Sequence, residues 1–93
     1  MSWSVPAALY SAPWPEMKRA GIEALEQGTQ VIELQAWTAA SSAHLAVLLV
    51  WWSAARTRGI ALTFQNMNQQ FQTLARLGGV SFLIQESQDH VGK

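Results

Sequence analysis

Residues 38–52 read TAASSAHLAVLLVWW, and the fold turns on whether this apolar run is a core helix, a membrane segment or a surface for another protein. Its order is helical. At about 3.6 residues per turn, Leu45, Leu48, Leu49 and Trp52 fall on one stripe at i, i+3, i+4 and i+7, which is the expected core face. His44, Val47, Trp51 and Ala54 form a second stripe displaced from the first. A helix on one side of a small sheet cannot bury both, so one tryptophan, Trp51, is expected near solvent. Exposed aromatic area beside aliphatic side chains has the composition of a protein-interface anchor. The alternative is that the N-terminal segment, with Trp3 and Trp14, folds over Val47 and Trp51. The most apolar part, residues 43–55, contains His44 and Ser53 and falls short of the roughly 20 residues a spanning helix needs, so a membrane span is not expected.

Working outward, Ser41 and Ser42 are good N-caps for this helix, and Arg56 and Arg58 lie near an end closed by Gly59. TQVIELQ (29–35) precedes it and reads as a central strand through Val31, Ile32 and Leu34. IALTFQ (60–65) follows it and alternates apolar with small or polar residues, a second strand. Residues 15–27, PEMKRAGIEALEQ, start with a proline suited to a first turn and stop at Gly28, a helix turning Met17, Ala20, Ala24 and Leu25 inward. Asn66 or Asn68 caps a further helix, whose Met67, Phe71, Leu74 and Leu77 run to Gly78-Gly79. VSFLIQ (80–85) reads as a last short strand, and ESQDHVGK as a polar tail fraying over 86–93. A strand within SWSVPAAL would lie at a sheet edge or strand end, because Pro6 lacks an amide hydrogen.

Strands alternating with helices through short connections predict parallel β-α-β units. The expected fold is therefore α/β: one domain over residues 1–93 with its core at about 14–85, about four mostly parallel strands and three helices.

Six basic residues balance six acidic ones. Neither sign forms a run, so neither nucleic acid nor an anionic lipid surface is an expected partner. The chain has no cysteine, which removes disulfides, thiolate nucleophiles and thiolate metal ligands. The first fifteen residues lack a basic n-region and carry three prolines, unlike a secretory signal, and a cytoplasmic protein is expected.

Little resembles chemistry. His44 and His90 have no second ligand at i+3 or i+4, so no metal site is expected. Glu16, Glu23 and Glu26 read as solvated helix charges, and Glu33 as a strand-end or sheet-face carboxylate. Gly78-Gly79 follows a helix instead of opening one, so it is a C-cap and not a phosphate loop, and no cofactor or ATP is expected. Ser41 and Ser42 remain: as caps they bond to first-turn amides, and the same geometry favours a phosphate, making either a switch or a partner contact.

VIELQ, the loop and helix from AWTAASSAHLAVLL to ARTRG, IALTFQNMN, QQFQTLARLGGV and a closing strand together resemble a STAS domain, the fold of anti-sigma factor antagonists and of the MlaB-like subunits of bacterial phospholipid-transport ABC complexes. The likeness covers about residues 29–85. Family members carry an Asp-Ser/Thr-Ser/Gly-Gly-Leu loop before this helix. Aligned on it, Ser41 takes the Asp position, Ser42 the first hydroxyl, Ala43 the second, His44 the Gly, and Leu45 follows. Anti-sigma antagonists are phosphorylated at the second hydroxyl, where this chain has Ala43. MlaB-like members carry the first, which Ser42 preserves.

The resemblance implies a non-catalytic subunit, peripheral at the inner membrane, that presses this loop and helix against the cytoplasmic ATPase of the transporter and through it the permease. Ser41, Ser42, His44, Val47 and Trp51 are its expected contacts. The alternative it implies is a regulatory module binding an anti-sigma factor or kinase and switched by phosphorylation at Ser42 or Ser41. With so few residues before the strand at 29, the usual first strand would be missing or shortened. The open edge would then be covered by a homodimer or by the partner.

Overall fold

The computed structural model describes residues 1–84. In chain order these form β1 (Ser2–Ser4), a 3-10 helix (Ala7–Ser11), α1 (Trp14–Glu26), β2 (Val31–Glu33), α2 (Ser42–Thr57), β3 (Thr63–Gln65), α3 (Gln69–Leu77) and a second 3-10 helix (Ser81–Leu83). The strands make one parallel sheet in the order β1-β2-β3, with Trp3 beside Ile32 and Ile32 beside Phe64. α1 connects the first pair and α2 the second, so the chain consists of successive β-α-β units, as the alternation of elements implies.

The pleat sorts the side chains. Val5, Ile32, Leu34, Leu62 and Phe64 are buried and Trp3 half-buried, all on the face toward the helices, whereas Ser2, Ser4, Val31, Glu33, Thr63 and Gln65 alternate with them and are exposed or half-buried. A parallel sheet normally has both faces covered; this one has a polar second face, which suits a two-layer domain.

Three strands are found among the described residues instead of about four. The edge strand expected in SWSVPAAL is present and stops short of Pro6. The strand expected over 80–85 is a 3-10 helix as far as it is described, with Gln85 and the tail 86–93 outside the described residues. Its donors are spent locally. Gly79 turns with φ +77, then the amide of Val80 bonds back to Ala75, that of Leu83 to Val80 and that of Ile84 to Ser81, leaving none of these three for a ladder with β3. The strand expected over 60–65 shortens to Thr63–Gln65 for a related reason: the amide of Ile60 is taken by the Ala55 carbonyl at 2.8 Å, as part of the turn that closes α2.

α2 corrects the expected orientation of its faces. Its buried residues are His44, Val47, Leu48, Trp51 and Ala55, while Leu45, Leu49 and Trp52 are only half-buried. Burial of the Trp51 side is made possible by Gly21, which is buried in α1 where any side chain would strike the Trp51 indole. The indole is satisfied there. Its Nε1 donates to the Lys18 carbonyl at 3.2 Å, and its ring meets Trp3 edge-on at 5.6 Å and Trp37 at 5.8 Å. The N-terminal segment thus folds over Trp51 through Trp3, whereas Trp14 stays at the surface, 37% exposed.

Candidate functional site

The sequence-selected residues meet at the N-terminus of α2, and the structure separates them into two groups. His44, Val47 and Trp51 are inside; as partner contacts they are withdrawn, because buried side chains present no surface. Ser41 is half-buried and Ser42 exposed.

Ser41 is the N-cap of α2, its Oγ accepting from the His44 amide at 3.1 Å. The His44 ring returns to the same residue, Nδ1 lying 2.5 Å from Ser41 Oγ, while Nε2 lies 2.6 Å from the carbonyl oxygen of Tyr10. A carbonyl only accepts, so Nε2 carries the hydrogen, and in the neutral ring Nδ1 accepts from the Ser41 hydroxyl. The imidazole is stacked on Tyr10 at 3.7 Å and meets Trp37 edge-on at 5.2 Å. This is how a histidine occupies the buried side of α2: both ring nitrogens have partners, so burial leaves neither unpaired. The arrangement is a reciprocal cap in which the side chain three residues on reaches back, and it ties the 3-10 helix at Ala7–Ser11 to the start of α2.

Ser42 differs. It is the first residue of α2, exposed, and makes no side-chain hydrogen bond among the described residues. Of the two hydroxyls only this one is free for a partner or a modifying enzyme. No acidic side chain lies in the first turn of α2, so no carboxylate of its own offsets the positive end of its dipole.

On one flank of Ser42 runs the half-buried stripe Leu45, Leu49 and Trp52. Trp52 contacts Phe82, itself 45% exposed, at 4.6 Å between rings, and the Arg56 guanidinium lies 4.9 Å over the indole. Leu77 stands 81% exposed at the end of α3. On the other flank Trp14 donates its indole hydrogen to the carbonyl of Ala43 at 3.4 Å, joining the start of α1 to the start of α2.

The expectation that α2 cannot bury both of its stripes fits this geometry, but the residues are exchanged: Trp52 takes the half-exposed place assigned to Trp51. The missed signals were local. A serine three residues before a histidine has the spacing of a capping box, and Gly21, a costly residue inside a helix, points to close packing at that position.

Glu33 accepts from Asn66 Nδ2 at 2.5 Å on the exposed sheet face, a strand-end pairing that holds Asn66 at φ 60. Among the described residues no group of three or more His, Cys, Asp or Glu side chains converges to hold a metal ion, and no helix is long and apolar enough to cross a membrane.

No family model matches the chain, and neither a curated protein nor a solved structure is found to resemble it.

Proposed function

We propose that the chain is a non-catalytic, STAS-like docking subunit that binds the cytoplasmic ATPase of a phospholipid-transport ABC complex, as the resemblance to MlaB-like proteins implies, and through it associates with the permease at the inner membrane. The observation that supports this reading is the exposed Ser42 at the start of α2 beside the half-buried stripe Leu45, Leu49 and Trp52. That is an aromatic and aliphatic surface with a hydroxyl at one end, the composition of a hot-spot region. The opposite side of the same helix is locked into the core, so the surface is held rigidly and little ordering cost attends binding. Such a subunit acts by linkage: bound more tightly to one state of the ATPase, it shifts the ATPase toward that state, and catalysis stays with the partner. The outer edges of β1 and β3, each with one neighbouring strand among the described residues, offer the route to a homodimer.

A second reading has its own observation. Ser42 is the hydroxyl left free at a helix N-terminus without a carboxylate of its own, where a phosphate would be stabilised, and this supports a regulatory module switched at Ser42 and bound by an anti-sigma factor or kinase. Ser41, occupied on both sides by His44, is the poorer acceptor. Affinity purification of the tagged chain from its native membranes in mild detergent, followed by mass spectrometry, separates the two. An ABC ATPase with its permease is the expected result; a kinase-like anti-sigma factor without transporter subunits would overturn the first reading in favour of the second.

A further inference from the structure

We propose that the groove on the outer side of α1 is a second docking site, one that takes an acidic helical segment of the partner protein with a large apolar side chain at its centre. The inference rests on the docking reading above and adds the chemistry of the partner. The groove is shallow and open to solvent, offers about 450 Å³ along the surface of α1, and is lined by Trp14, Pro15, Lys18, Arg19 and Ile22 of that one helix. Trp14, Lys18 and Ile22 are spaced by four along α1, so an indole and an aliphatic side chain form the floor, with the Lys18 ammonium between them.

The rim carries two cations, of which Lys18 is the one without a carboxylate at helical spacing. Among the described residues the one ion pair joins Arg58 to Glu26, and neither Lys18 nor Arg19 takes part in any. Arg19 has Glu16 and Glu23 within a turn on either side, but the positions three and four residues from Lys18 are Trp14, Pro15, Gly21 and Ile22, with no carboxylate. The Trp14 indole touches the Ala43 carbonyl, so the groove also adjoins the N-terminus of α2. An apolar floor with cations along one side and a helix N-terminus at one end is the complement of an apolar side chain whose neighbouring carboxylates face Lys18 and the start of α2. An extended anionic surface fits less well: α1 carries Glu16, Glu23 and Glu26 against two cations, and a flat bilayer would meet the carboxylates too, whereas a single helix laid in the groove need not.

The test uses the full chain and its Lys18→Glu/Arg19→Glu variant, in which both substituted side chains are exposed and the new like-charge neighbours at Glu16 and Glu23 should lower the melting temperature by no more than about a few degrees. Where an ABC ATPase is recovered with the wild-type chain, its affinity for the variant should fall at least about tenfold, and wild-type affinity should weaken steeply between low and moderate salt. Wild-type affinity in the variant would overturn the groove while leaving the docking reading intact. Where no ATPase is recovered, a random dodecamer display library selected on the wild-type chain, with the variant as counter-selection, should return peptides pairing Asp or Glu with Leu, Phe or Trp. Selection without acidic enrichment would overturn the inference, as would phosphatidylglycerol vesicles that bind the wild-type chain and not the variant in the absence of such peptides.

Discussion

Gly21 of α1 lies flat against the indole of Trp51 in α2, so close that a Cβ on it would stand under 3.0 Å from three atoms of that ring. The ring has nowhere to go, since Trp51 is 0% exposed and its Nε1 is tied to the Lys18 carbonyl one turn back on the same helix as Gly21. Gly21→Ala should therefore cost about 3 kcal/mol or prevent folding, despite the better helix propensity of alanine. Urea unfolding of Gly21→Ala, Trp51→Phe and the double variant measures it. A smaller ring should restore part of the loss, giving a coupling of at least about 1 kcal/mol, and strict additivity would show that the two residues do not constrain each other.

The two adjacent tryptophans should behave oppositely. Trp51→Ala removes a fully buried ring and should destabilise by about 3–5 kcal/mol. Trp52→Ala removes a half-buried ring held by Phe82 and Arg56, and should cost about 1 kcal/mol of stability while weakening partner binding by about 2 kcal/mol. Thermal denaturation with a binding titration distinguishes them. A stability loss at Trp52 matching that at Trp51 would place both in the core and remove the proposed anchor.

What the sequence disclosed about this fold is what local periodicity and punctuation encode. α1 begins beside Pro15 and ends before Gly28, α2 lies between its serine cap and Gly59, and α3 lies between Asn68 and Gly78, each close to its expected span. Two things depended on tertiary partners and were not legible. Which stripe of α2 turns inward was decided by Gly21 and by the pairing of His44 with Ser41 and Tyr10, because both stripes are apolar enough to be buried. Whether VSFLI extends beside β3 was decided by the turn at Gly79, since Val80, Leu83 and Ile84 suit a strand and a packed 3-10 turn equally well. The site divided likewise: the spacing located Ser41 and Ser42 at a helix start, but only their surroundings show which hydroxyl is engaged.

Asn68 joins two segments that are distant in sequence. Its Oδ1 accepts from the Phe71 amide at 2.8 Å as the N-cap of α3, and its Nδ2 donates to the Trp37 carbonyl at 2.9 Å, fastening the loop before α2 to the start of α3. Asn68→Ala should lose about 1–2 kcal/mol. Asn68→Asp keeps the cap but cannot donate to Trp37, so it should lose only part of that. Equal losses in equilibrium unfolding would assign the whole effect to the Trp37 bond; no loss in the aspartate would assign it to the cap.

Ser41 and Ser42 are adjacent hydroxyls with different expected roles, and paired substitutions separate them. Ser41→Ala removes the cap of α2 and leaves His44 Nδ1 buried without its donor, so it should cost about 1–3 kcal/mol. Ser42→Ala removes an exposed hydroxyl with no partner among the described residues and should stay within about 0.5 kcal/mol of wild type. Ser42→Asp places a carboxylate at the start of α2, which has none of its own there, so it should preserve or slightly raise the melting temperature. If Ser42 is a docking contact, Ser42→Asp should nevertheless impair capture of the partner, because the new charge must be desolvated against a surface fitted to a hydroxyl. A stable Ser42→Asp chain that captures its partner undiminished would remove Ser42 from the interface and leave docking to the Trp52 stripe and the groove on α1.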